Sequence, residues 1–74
     1  MNKIEQEILI NLSTRLKELR VDKKLSQEKL AEKCGLDRTY ISLLERAKRN
    51  PSLFNLKKIT EGLEISLSDL LKDI

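Results

Sequence analysis

Two short helical segments joined by four residues limit the folds open to this 74-residue chain more than any other feature. "SQEKLAEKCG" opens on Ser26 as an N-cap and closes on Gly35, just past its last periodic residue. "LDRTYISLLE" opens on Asp37 and carries Ile41 and Leu44 three apart on one side. The connection "CGLD" is too short for an antiparallel hairpin to relax, and Gly35 can supply a positive backbone dihedral for a sharp turn. Small Ala31 falls where the two helices come closest, with Leu30, Leu36, Ile41 and Leu44 at inward positions. The expected unit, about residues 27–46, is one helix held across another by a tight turn.

The flanking sequence supplies three more helices. Ile8, Leu9, Leu12, Leu16 and Leu19 recur at spacings of three and four, marking a first amphipathic helix from about Asn2 to Lys23. Pro51 reopens the chain and Ser52 caps a fourth helix carrying Leu53, Leu56, Ile59 and Leu63, expected to fray near Gly62. "SLSD", Ser66 to Asp69, resembles a capping box ahead of Leu70 and Leu71. Tyr40 and Phe54 are the only aromatics, so the core must be built of leucine, isoleucine and alanine, which suits packed helices. The expectation is an all-α fold of five helices in one domain, residues 1–74, with room for a single core.

Composition removes several kinds of chemistry. Cys34 is the only cysteine and there is no histidine, so an internal disulfide and a zinc site are excluded; Cys34 is expected as a small buried hydrophobe. No glycine-rich phosphate loop and no inward carboxylate pair are present, so an enzyme, a cofactor and a small-molecule ligand are not expected. No apolar run approaches the roughly 20 residues that span a bilayer, and the N-terminus lacks an apolar leader. A cytoplasmic location, with no membrane partner, follows as the expectation.

Charge is polarised along the chain. The formal net charge is only +3, yet between Arg38 and Lys58 stand Arg38, Arg46, Lys48, Arg49, Lys57 and Lys58 against Glu45 alone. On a helical wheel Arg38, Thr39, Ser42 and Arg46 share one arc of the third helix, opposite Ile41 and Leu44. An α-helix fits the major groove of DNA, where arginine can donate two hydrogen bonds to guanine and a threonine methyl can meet that of thymine. Those four residues are therefore the expected base readers. Lys48, Arg49 and Asn50, just past the helix, are expected on the phosphate backbone, with Tyr40 at the edge of the arc between packing and DNA. Leu43 also lies at that edge, while Lys57 and Lys58 read as a solvated face.

The combination "RLKELR", "LSQEKLAEKCGL", "YISLLERAKRNPSL" and "ISLSDLL" resembles the phage-repressor and Cro-like helix-turn-helix family, often called XRE, over about Leu12 to Leu71. "LDRTYIS" with "RNPSL" is most similar to the controller proteins of restriction-modification systems, small regulators that bind their own operators as dimers. The resemblance implies that Gln27 bonds a phosphate, that Arg20 pairs with Glu45, that Arg38 reads bases, and that Arg46, Arg49 and Asn50 reach DNA. Lys29 stands where relatives carry a glutamate, so the capping box of the second helix is expected to be lost. The first helix also extends further upstream than the family minimum.

Leu63, Ile65, Leu67, Leu70, Leu71 and Ile74 exceed what a chain of this length readily buries and are expected to contribute a homodimer surface from helices within 53–73. The function implied is a DNA-binding transcriptional regulator: a homodimer on an inverted-repeat operator of double-stranded DNA, with RNA polymerase as a further candidate partner. The alternatives are a general XRE-type repressor and an antitoxin-like protein-interaction module.

Overall fold

The computed structural model describes residues 1–74 as five helices: α1 (Lys3–Asp22), α2 (Gln27–Cys34), α3 (Arg38–Glu45), α4 (Leu53–Leu63) and α5 (Leu67–Leu70). Every start signal lies where a polar residue can cap. Ser26, Ser52 and Ser66 each accept the backbone N–H three residues on, and Ser66 with Asp69 completes a capping box. Asn2 and Glu5 form a second capping box at the head of α1. Ser26 keeps its half of the cap without a partner at Lys29, whereas Asp37 takes the N-cap backbone geometry of α3 but makes no side-chain capping bond.

The first four helices all end in the same way. One residue turns left-handed, at Lys24, Gly35, Ala47 and Glu64 in turn. The following N–H then reaches back five residues: Leu25 to Arg20, Leu36 to Ala31, Lys48 to Leu43 and Ile65 to Thr60, at 2.9–3.1 Å. Each closure turns the chain sharply within a few residues, which lets helices this short enclose a common core.

That core is Leu16, Leu30, Ala31, Cys34, Ile41, Leu44, Ile59 and Leu63, and α2 packs on both α3 and α4. Burial pushes the Cys34 thiol up to about 11 against a partly offsetting backbone hydrogen bond from Gly62. Gly62 does not end α4. It lies inside the helix, where an added Cβ would stand 2.5 Å from Cys34 Sγ, so the residue is set by the close approach of α2 and α4. The helix runs one residue further and Glu64, without glycine's freedom, takes the left-handed position.

Burial departs from the sequence pattern at four positions. Ile8 and Leu53 fit the helical spacing but are exposed, at the edges of stripes whose buried members are Leu9, Leu12 and Leu16 on α1 and Ile59 and Leu63 on α4. Leu63 and Leu70, assigned above to a dimer surface, are fully buried within the chain itself. They close the α4–α5 end of the core, leaving Ile65, Leu67 and Leu71 half-buried and Ile74 exposed at that end.

Candidate nucleic-acid interface

α3 is divided lengthwise. Ile41 and Leu44 are buried, fixing its rotation about its own axis, and this turns Arg38, Thr39 and Arg46 to solvent with Ser42 half-buried between them. The N-cap carries no side-chain bond, and Asp37, Arg38 and Thr39 at the entrance of the helix are all exposed. Arg38, Thr39, Lys48 and Asn50 have no side-chain hydrogen bond or ion pair within the chain, and Arg46 makes only a long one, from Nε to the Ser42 carbonyl at 3.4 Å. These side chains form an open arc of donors and positive charge.

The left-handed turn at Ala47 carries Lys48, Arg49 and Asn50 away from the axis of α3, all exposed. Arg49 folds back so that its guanidinium carbon lies 5.3 Å from the centre of the Tyr40 ring. Tyr40 itself is half-buried against the core, so its ring is a support for Arg49 as much as part of the arc. The exposed head of α1 was not anticipated here: Met1, Gln6 and Ile10 share a cleft with Arg46 and Lys48, and Ile8 shares another with Asn50. The only advance sign of this was the upstream length of the first helix.

The opposite edge of α3 is closed. Glu45 Oε2 accepts from Arg20 Nε at 2.6 Å, and Oε1 accepts from Arg20 Nη2 at 3.0 Å. The Glu45 side chain is 2% exposed and that of Arg20 11%, so this bidentate pair lies inside the protein. Arg20 Nη1 also donates to the Leu25 carbonyl at 2.7 Å, holding the α1–α2 connection. Gln27, expected to point at DNA alone, donates from Nε2 to Glu45 Oε1 at 3.1 Å and joins this cluster. Sequence spacing does not forecast that bond, because the two residues are eighteen apart and meet only through the crossing of α2 and α3.

One further surface is apolar and open. Phe54 is 80% exposed with Leu53 beside it on α4, a large apolar pair that the helical spacing assigned in part to the core. No helix is long and apolar enough to cross a membrane.

Comparison with known proteins places this arrangement. A helix-turn-helix family model matches residues 16–70, which span α2 and α3 with most of the other helices. The control protein C.MunI of a Mycoplasma species is 52% identical over 69 residues, covering 92% of this chain and 93% of that protein. The crystal structure of the restriction-modification controller protein C.AhdI from Aeromonas hydrophila superposes with a TM-score of 0.82 at 47% identity, over 84% of this chain and 94% of that one. The controller protein C.Esp1396I superposes with a TM-score of 0.80 at 42% identity over 86% of each chain, and its solved structures include alanine variants of a consecutive arginine, threonine and tyrosine. The chain belongs to the helix-turn-helix family, in the XRE-type group to which the restriction-modification controller proteins belong.

Proposed function

We propose that the protein is a sequence-specific transcriptional regulator of the restriction-modification controller type, acting in the cytoplasm on double-stranded DNA. The observation that carries this reading is the open arc on α3: Arg38, Thr39 and Arg46 exposed on a helix whose opposite face is locked by Ile41 and Leu44. Arg38 and Thr39 lead the helix into the major groove and read bases, with Ser42 and Arg46 further along the same arc. Lys48, Arg49 and Asn50 hold the backbone of the flanking strand, Gln27 and Tyr40 add contacts at the rim, and these fix register without reading sequence. Arg38-Thr39-Tyr40 is the one Arg-Thr-Tyr run in the chain, and a consecutive arginine, threonine and tyrosine are among the residues replaced by alanine in C.Esp1396I.

One such helix reads only a few base pairs, so a homodimer placing two α3 helices about 34 Å apart on an inverted repeat is the working form. Ile65, Leu67, Leu71 and Ile74 provide half-exposed apolar surface for it, with Leu53 and Phe54 the largest exposed apolar pair on α4. RNA polymerase is a further partner once the dimer sits on a promoter. The test is a titration of the purified protein on a duplex recovered by selection and on random duplex, at two salt concentrations. Tight, salt-sensitive binding with a strong preference for an inverted repeat supports the reading. Weak binding equal on both duplexes overturns it.

A further inference from the structure

The mixed role of Gln27 has a chemical cause in Glu45. A carboxylate can only accept hydrogen bonds, so the Gln27 amide must turn its nitrogen, not its oxygen, towards Glu45 Oε1. One Nε2 hydrogen is spent there and the side chain makes no other hydrogen bond, which leaves the second hydrogen free at the first residue of α2. Glu45 in turn cannot swing away, since Arg20 grips both of its oxygens and is itself tied to the Leu25 carbonyl.

We propose that Glu45 is a positioning residue for DNA binding: through its bond to Nε2 it aims the remaining Gln27 N–H at a backbone phosphate, and the Arg20 pairing makes a buried negative charge near DNA tolerable. The inference rests on the DNA-binding reading above and adds to it a fixed link from α1 through the end of α3 to the phosphate contact of α2. It predicts a sign opposite to simple charge counting. Glu45→Gln raises the net charge, which by counterion release alone would tighten binding. Glu45→Gln leaves a single acceptor oxygen, which the Arg20 guanidinium takes, and an NH2 that cannot accept from Gln27, so the amide is released and binding to the selected duplex weakens instead, by about tenfold, as for loss of a hydrogen bond to a charged group.

The experiment is a double-mutant cycle on the selected duplex with Glu45→Gln, Gln27→Met and both together, with thermal unfolding of each free protein measured alongside. Each single variant is expected to lose about tenfold and the double variant no more than that, because both remove the same contact. Should Glu45→Gln fail to fold with Arg20 left unpaired, the paired replacement Arg20→Met with Glu45→Met removes the carboxylate without stranding a charge. A second readout is a scan of single methylphosphonate substitutions along the duplex. Neutralising one particular phosphate per half-site should weaken the wild type but neither Gln27→Met nor the paired Met variant, a pattern that altered stability alone does not produce. Tighter binding by Glu45→Gln, or losses that multiply in the double variant, would overturn the positioning role while leaving DNA binding intact. Failure of the wild type to prefer the selected duplex would instead overturn the DNA-binding reading itself.

Discussion

The two edges of α3 carry similar side chains in opposite conditions. Along one edge Arg20 and Glu45 use their polar atoms on one another, out of solvent, with one N–H of the half-buried Gln27 also spent on Glu45. Along the other, Arg38, Thr39 and Arg46 extend from the same eight-residue helix and its cap with almost nothing in the chain to bond. A polar group used for structure is satisfied internally, since leaving it buried and unpaired is costly. One left open on a rigid helix can bond a partner without first breaking an internal contact. The contrast between Glu45 and its neighbour Arg46 therefore separates a side chain anchored within the fold from one left open to a partner.

The largest effect that sharpens this contrast is on the closed edge. Glu45→Ala strands the buried Arg20 guanidinium and should lower the unfolding free energy by about 3–5 kcal/mol in a urea titration, whereas Arg46→Ala, one residue on, should stay within about 0.5 kcal/mol of wild type. Comparable losses at the two positions would break the division.

Next in size is the crowded α2–α4 contact that supports α2 from behind. Gly62→Ala forces a methyl against Cys34 Sγ, an overpacking cost of about 1–3 kcal/mol set against about 1 kcal/mol of improved helix propensity. Adding Cys34→Ala should recover most of the net loss, and a double variant no better than the single would place the strain elsewhere. The thiol also sets a pH limit. Its pKa is raised from 9.0 unfolded to about 11 folded, so its contribution is fully present below pH 9 and is lost as pH rises to 11. The loss should reach about 1 kcal/mol by pH 10, an additional fall in melting temperature that Cys34→Ala lacks. The smallest effect lies on the boundary between the regions. Arg49→Gln removes the stacking on Tyr40 and should cost about 0.5 kcal/mol of stability, detectable in the melting temperature of the free protein.

Legibility from sequence follows the same physical divide. Local signals read well: Ser26, Ser52 and Ser66 cap where expected, Gly35 turns left-handed, and the period of Ile41 and Leu44 orients α3. What depends on contacts between distant residues does not. Lys24, Ala47 and Glu64 take the same left-handed position as Gly35 without its signature, their local strain offset by the backbone hydrogen bond that closes each turn. Gly62 looked like a stop signal because the Cys34 side chain that requires it lies on another helix. Leu63 and Leu70 read as surplus to the core yet are fully buried, while Phe54, outside the apolar series, projects into solvent. On the interface, periodicity placed Arg38, Thr39, Ser42 and Arg46 on one side, but the tie between Gln27 and Glu45 required the crossing of two helices.

On the proposed reading, the open edge of α3 recognises DNA and does nothing for the fold. Its most direct test is Arg38→Ala, measured for unfolding free energy and for affinity on both selected and random duplex. Unchanged stability is expected, with a loss of about 1–3 kcal/mol on the selected duplex and a much smaller loss on random DNA. Equal weakening on both duplexes, or a loss of stability comparable to the loss of binding, would contradict it.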